Sequence, residues 1–445
     1  MFYISGSTVL KQESSANEVP HQQNQVESSL PKLDELVPVV LDRYLKSRDH
    51  NGLPVSAFTE DESEETRTWI REVAIDSRFT VLNDSIACNP HILRHEIDKE
   101  QVDLDSYNDS SLHHTVIFPS SDLLRSNVPG HQNITNPFSR ELDLGKSQLE
   151  FYFFQSAVLE KYVSDPRFNV QYDGIRGSVG AEYTDDGKPV VGAAHDAYLK
   201  SFGKAILKSS RIPCICAILR DLQELNKYEQ MHWEQHRIHE ESLPHPDIYK
   251  NWILGDWGEY TSIEDAVFDE IKLVNQMCLA IGWPTLFRND FEGNRPIEFY
   301  LLMRPTKRKF DRFIETSDKI LSDNIQNSFF KNNPHRIDMK NDDGKDKGTI
   351  LLLDEWLRKH FRTSDYSPVD EINLNMKSIR KLRNSSAHRI QQDEYDESIW
   401  ADRLEYIKNI YQVVRNIRLM FACHKDGKSV EIPFYLVDGK FISFL

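Results

Sequence analysis

The sequence predicts a multidomain α+β protein, mostly α, in which a mixed α/β middle region is followed by a C-terminal four-helix bundle. Three observations carry this. The chain has 445 residues, and single apolar cores stop growing near roughly 250–300 residues. Its middle third interleaves short β-branched and aromatic runs with helical periodicity. Its last third holds four long stretches of helical periodicity joined by short polar connections, the arrangement that favours antiparallel helical neighbours. Hydrophobic residues make up 39% and charged residues 28%, the balance of a chain that folds in water.

The elements follow in order. Residues 1–30 are rich in Gln, Ser and Asn and bury too little surface to offset ordering entropy, so they read as a flexible arm. Residues 31–146 form an acidic, partly helical N-terminal region. Leu33, Leu36, Val40, Leu41 and Tyr44 keep helical spacing, with Pro38 expected to kink or split the helix. Thr66–Val73 continues as helix, and 98–136, dense in Asp, Ser and Asn, reads as a long loop.

Residues 147–303 form the mixed α/β domain, with a sensing or regulatory role. A helix is expected over Leu149–Tyr162, then a strand at Phe168–Tyr172. Ser178–Tyr183 and Pro189–Val191 form a hairpin around Thr184-Asp185-Asp186-Gly187. A buried strand follows at Ile212–Leu219, then a long helix over Arg220–Glu241, a helix over Ser262–Ile281 and a strand at Glu298–Met303. Residues 304–428 are the helical bundle, with helices over Lys307–Phe330, Thr349–Phe361, Val369–Ile390 and Tyr395–Cys423. Residues 429–445 read as a C-terminal β-hairpin about Asp438-Gly439.

Composition narrows the function classes. No apolar run approaches the roughly 18 residues that span a bilayer, and Met-Phe-Tyr-Ile-Ser-Gly has no basic lead, so neither a membrane span nor a secretory signal is expected. Five cysteines, widely scattered, make no disulfide framework. The expected location is cytoplasmic. A formal charge of −16 disfavours general nucleic-acid binding, which rests on Lys and Arg. The acid is unevenly spread, however. Residues 1–150 hold nearly twice as many acidic as basic residues, whereas 371–390 hold Lys377, Arg380, Lys381, Arg383 and Arg389 against Glu371 alone. Arg304, Lys307, Arg308, Lys309 and Arg312 form a second basic cluster.

The sharpest local feature is Ile379-Arg380-Lys381-Leu382-Arg383-Asn384-Ser385-Ser386-Ala387-His388-Arg389, at the end of the third bundle helix. Asn384 and His388, four apart, project from nearly one face, on a stripe with Lys377 and Lys381. Arg383 and His388, five apart, stand about 140° around an ideal helix, so they converge only through the reach of Arg or a distorted helix end. Cleaving RNA through the ribose 2′-hydroxyl needs no metal. It needs a proton-transferring group with pKa near neutrality, for which His is suited, and a fixed cation on the anionic phosphorus transition state, for which Arg is suited.

Over roughly residues 305–425 the sequence resembles the HEPN superfamily, whose ribonuclease members carry an Arg, a polar residue, a few variable residues and then His. Arg383, Asn384 and His388 match those positions. The resemblance implies a metal-independent endoribonuclease without cofactor. His388 would be acid/base, Arg383 the phosphate clamp and Asn384 an orienting group, and Lys377, Arg380, Lys381, Arg389, Lys307 and Arg308 would line an RNA groove. It also implies a homodimer, because two such helices pair to form one site. The setting would be prokaryotic antiviral defence by abortive infection, or a toxin with an antitoxin or a phage-derived trigger as partner. The Tyr that follows the His in some members is absent here, where Arg389-Ile390 follows. The alternative is a non-catalytic HEPN-type dimerisation or RNA/nucleotide-binding module, with Arg383 and His388 in structural hydrogen bonds.

Other clusters point less clearly. His232, His236 and His239 share a predicted helix at zinc-like spacing, though without the His-Glu-x-x-His order, and a solvated His- and Glu-rich helix is the simpler reading. Cys214-x-Cys216 places two thiols on one face of a buried strand, which suits core packing. Gly174-x-x-Gly177-x-x-Gly180 precedes hairpin residues instead of a helix, so it is not a phosphate-cradling loop.

Overall fold

The computed structural model describes residues 30–47, 50–83, 114–127, 136–387 and 392–444. The chain forms two compact units, divided after Pro119. Among the described residues no helix is long and apolar enough to cross a membrane. Helices and antiparallel sheets combine in an α+β fold.

In the first unit, helix α1 (Leu33–Lys46) and helix α2 (Glu64–Ile75) accompany a three-stranded antiparallel sheet. Its strands β1 (Leu53–Pro54), β2 (Phe79–Asn83) and β3 (Thr115–Pro119) run in the order β1-β3-β2. Contrary to expectation, α1 runs through Pro38 unbroken. The missing amide removes one hydrogen bond near the helix start, while Leu36, Val40 and Tyr44 on either side are fully buried and hold the turn. Ser63 caps α2 through its Oγ, and Glu64 and Glu65 complement the dipole in the first turn. The loop expected over 98–136 contains β3, formed by the β-branched run Thr115-Val116-Ile117, and then helix α3 (Ser121–Asn127).

The second unit is built on an antiparallel sheet of strands β4 (Phe151–Phe154), β5 (Phe168–Tyr172), β6 (Arg176–Ala181), β7 (Tyr198–Leu207), β8 (Pro213–Ile218) and β9 (Arg237–Ile238). The order is β5-β6-β7-β8-β4-β9, and β10 (Ser242–Pro244) continues the edge of β7 beyond β6. The helix expected at Leu149–Tyr162 is instead β4, a short helical turn and helix α5 (Glu160–Val163). Its aromatics obey a period of two: Tyr152 and Phe154 meet Phe138 and Trp233, while Phe151 stacks on Trp252. Helix α4 (Pro137–Asp143) delivers Phe138 and Leu142 to that core. The expected turn at Thr184–Gly187 is present, with Tyr183 bridging Pro189, but β6 takes β7 as its partner. Gly177 is required there because a Cβ would lie 2.4 Å from Phe202.

The expected long helix at Arg220–Glu241 breaks into α6 (Leu219–Gln223) and α7 (Lys227–Glu234), because the Asn226 side chain accepts from the amides of Tyr228 and Glu229 and starts a new helix. The strand expected at Glu298–Met303 begins as a single helical turn, Ile297–Tyr300.

Helix α8 (Ile263–Ile281), capped by Ser262 and ended by Gly282 at φ +86°, packs along α12 (Ser398–Phe421). Helix α11 (Ser367–Ala387) lies against α9 (Lys307–Ile320), α10 (Thr349–His360) and α12. The Arg418 guanidinium, on α12, pairs with Glu270 of α8 at 2.7 Å, both side chains almost fully buried. One apolar cluster runs from Phe138 through Phe299 and Phe313 to Ile442. The boundary expected at 303/304 therefore runs through a shared core.

The C-terminal β-hairpin expected at 429–445 is not formed. Phe434–Asp438 is a helix begun by Pro433, Gly439 closes it at φ +75°, and Ile442–Ser443 pairs in parallel with Thr261–Ser262. Asp438-Gly439 acts as a helix cap in place of a hairpin turn.

Candidate functional site

Helix α11 turns Val369, Ile372, Met376 and Ile379 into the core. This leaves Lys377, Lys381 and Asn384 exposed on its outer side, the stripe expected from their spacing. Among the described residues Lys377 and Lys381 make no ion pair. The helix stays continuous through Ala387. His388 and Arg389 lie outside the described residues.

Arg380 and Arg383 occupy the flank between core and solvent, and both turn to the end of α9. Arg380 Nε donates to Asp318 Oδ1 at 3.0 Å, and its Nη2 donates to Ser322 Oγ at 2.8 Å and Asp323 Oδ1 at 2.7 Å. Arg383 Nη1 donates to Asp318 Oδ2 at 2.7 Å and Asp323 Oδ2 at 2.9 Å. Ser322 Oγ donates in turn to Asp318. The two carboxylates differ in setting: the Asp318 side chain is 1% exposed and that of Asp323 38%. The hydrogen bond to Asp318 holds the Arg383 guanidinium above its ordinary pKa. It is a fixed cation, and two carboxylates already occupy it.

Lys307 and Arg308 begin α9. The Lys307 amide donates to Glu394 O at 2.9 Å and the Arg308 amide to Asp393 Oδ1 at 2.9 Å. The Asp393–Glu394 segment therefore lies on the start of α9, whereas Arg380 and Arg383 bind at its other end, so the two basic clusters stand against opposite ends of that helix. Part of the second cluster is neutralised, since Arg304 and Lys309 both pair with Glu160. Among the described residues Lys307 and Arg308 make no ion pair.

Asp318, Ser322 and Asp323 were not singled out by sequence. Their signal is an acidic residue in the last turn of a helix, where the dipole disfavours negative charge unless a cation answers it.

Of the remaining candidates, His239 is exposed and the others are held in the packed fold. His232 Nε2 lies 2.9 Å from Val158 O, and His236, beyond the end of its helix, bonds through Nδ1 to His232 O at 3.0 Å. No group of three His, Cys, Asp or Glu among the described residues has metal-holding geometry. Cys214 and Cys216 are buried free thiols packed with Ile175, Ala205 and Ile248, and burial pushes the Cys214 thiol up to about 12. Compared with known proteins, the chain matches no family model, no curated protein and no solved structure.

Proposed function

We propose that the chain is a metal-independent endoribonuclease of the HEPN type, with its site at the C-terminal end of α11. The observation that supports this most is the fixed cation near that helix end. Arg383 is a fixed, part-exposed cation, the exposed Lys377 and Lys381 add positive charge along the same helix, and Lys307 and Arg308 add more at the start of α9, on a chain whose net charge is −16. In this reading His388 withdraws the proton from the ribose 2′-hydroxyl and later protonates the 5′-oxygen of the leaving strand. Arg383 binds the non-bridging oxygens of the phosphorus as their charge rises, and Asn384 orients the group attacked. The products are a 2′,3′-cyclic phosphate and a 5′-hydroxyl. A homodimer brings two copies of the helix to one site, and the setting is abortive infection or a toxin pair.

The test expresses the wild type beside His388→Ala and Arg383→Ala and sequences RNA ends. New 5′-hydroxyl ends in the wild type, reduced by about 100-fold or more in each variant, are expected from the usual worth of an acid/base or a transition-state cation. Undiminished cleavage by His388→Ala would sink the assignment.

One observation favours a second reading. Arg380 and Arg383 are both held by Asp318 and Asp323, as expected of residues that tie two helices together in a non-catalytic dimerisation or RNA-binding module. That reading gives no new RNA ends from the wild type and a loss of thermal stability in Arg383→Ala.

A further inference from the structure

A cavity of about 390 Å³ opens between strands β7 and β8 and the first turns of α12. A smaller one of about 190 Å³ shares Lys204, Ile206 and Arg211 with it. Together they have the volume of small-molecule sites.

Phe202, Lys204 and Ile206 alternate onto one face of β7. Phe202 is fully buried, with Tyr172 stacked on it at 5.5 Å. Lys204 follows this phase as a part-buried residue lining the cavity, and desolvation lowers its pKa. Among the described residues its Nζ has no hydrogen bond and no ion pair. Glu264, whose negative charge reaches Lys204, accepts from Arg403 Nη2 through Oε1 at 2.8 Å, while its buried Oε2 has no hydrogen-bond partner among the described residues. The same Arg403 nitrogen donates to the carbonyls of Phe299 and Tyr300 at 2.7 and 2.8 Å. Around the cavity Lys204 and Arg403 stand with Glu264, and a second carboxylate, Glu397, lines the exposed rim. Arg211 adds a third cation at the exposed rim, on a backbone held at φ +58°, a conformation rare for a residue other than glycine. Tyr300, Leu302, Trp400 and Phe444 supply apolar and aromatic walls.

An ammonium group with no hydrogen-bonded partner beside aromatic walls fits a ligand with one negative group and one flat apolar body. We propose that this cavity binds a small organic anion, a carboxylate or phosphate on an aromatic or heteroaromatic ring, with Lys204 and Arg211 on the charged group and Trp400 and Phe444 against the ring. The inference is independent of the nuclease reading.

The test is calorimetric titration of the full chain with benzoate, adenosine 5′-monophosphate and inorganic phosphate. Saturable binding of at least one ring-bearing anion is expected, at least tenfold tighter than inorganic phosphate, and benzoate against the nucleotide distinguishes carboxylate from phosphate. Lys204→Met, which keeps the length of the side chain and removes its charge, weakens that binding at least tenfold. The same variant melts at or above the wild-type temperature without ligand, because it removes a part-buried charge that has no hydrogen-bonded partner. The proposal is overturned if neither ring-bearing anion saturates at millimolar concentration, if inorganic phosphate binds equally well, or if a folded Lys204→Met protein binds as the wild type does.

Discussion

Two aspartates hold the same arginine pair, yet their environments assign them different work. Asp318 is sealed from water and accepts from Arg380, Arg383 and Ser322, so it fixes the height and angle of both guanidinium groups. Removing its charge leaves a buried cluster short of an anion. Asp318→Asn should cost about 2 kcal/mol, below the figure for a fully buried pair because both arginines are part-exposed. Thermal or denaturant unfolding measures this directly. Asp323, more than a third exposed, is held less firmly and is the group that an incoming phosphate displaces in the proposed reaction. Asp323→Asn should therefore change stability by less than about 1 kcal/mol while raising RNA affinity and cleavage. A fall in cleavage in a stable Asp323→Asn protein would show instead that the carboxylate is needed to aim Arg383.

Among the elements, the C-terminal strand Ile442–Ser443 is tied down by a histidine that acidification should disable. His245 is 3% exposed; its Nδ1 accepts from the Asp247 amide at 3.2 Å and its Nε2 lies 2.8 Å from Ser443 Oγ. Nδ1 is thus the acceptor and Nε2 carries the hydrogen, a neutral ring with no place for a second proton. Burial pushes its pKa down to about 4. A depressed folded-state value against about 6.5 in the unfolded chain means that the unfolded chain binds the extra proton first. The contribution is complete above about pH 6.5 and lost as pH falls toward 4, on the order of 3 kcal/mol. Denaturant melts across that window should show the loss, and His245→Asn should flatten the profile. Legibility differs among the elements for similar physical reasons. Pro213–Ile218, Ile263–Ile281 and Thr349–His360 were readable because each buries one stripe or one run and has its own cap or breaker. Phe151–Phe154 was not, because four consecutive aromatics satisfy a period of two and a period of 3.6 alike, and only the partners Phe138 and Trp252 decide. The tail was misread because Asp-Gly serves a helix end as well as a hairpin, a choice made by Pro433 and by the distant Thr261. At the candidate site the Lys377–Asn384 stripe was legible from spacing. The carboxylates that engage Arg383 come from the last turn of another helix and the turn after it, some sixty residues away, and no local pattern reports that.

At the scale of the molecule, the division after Pro119 changes how the acidic N-terminal region is to be tested. Much of the excess negative charge lies in the first 150 residues, and such a region can compete with RNA for a narrow basic groove by supplying its own anions. A truncation at residue 147 would confuse that question with folding, because it removes Phe138 and Leu142, both essentially fully buried in the core of the second unit. Losing one buried Phe and one buried Leu costs about 5–10 kcal/mol on the scale of core deletions, comparable with the whole stability of a typical domain. A chain of residues 120–445 keeps that core intact. It should unfold cooperatively, whereas 147–445 should be largely unfolded or insoluble at the same temperature. The charge argument is then read on the folded fragment alone. If the acidic region restrains the proposed nuclease, 120–445 cleaves RNA faster than the full chain at low salt, and the difference shrinks as rising ionic strength screens the competing charges. Equal rates at every salt concentration would show that the restraint, if the protein has one, does not reside in the first 119 residues.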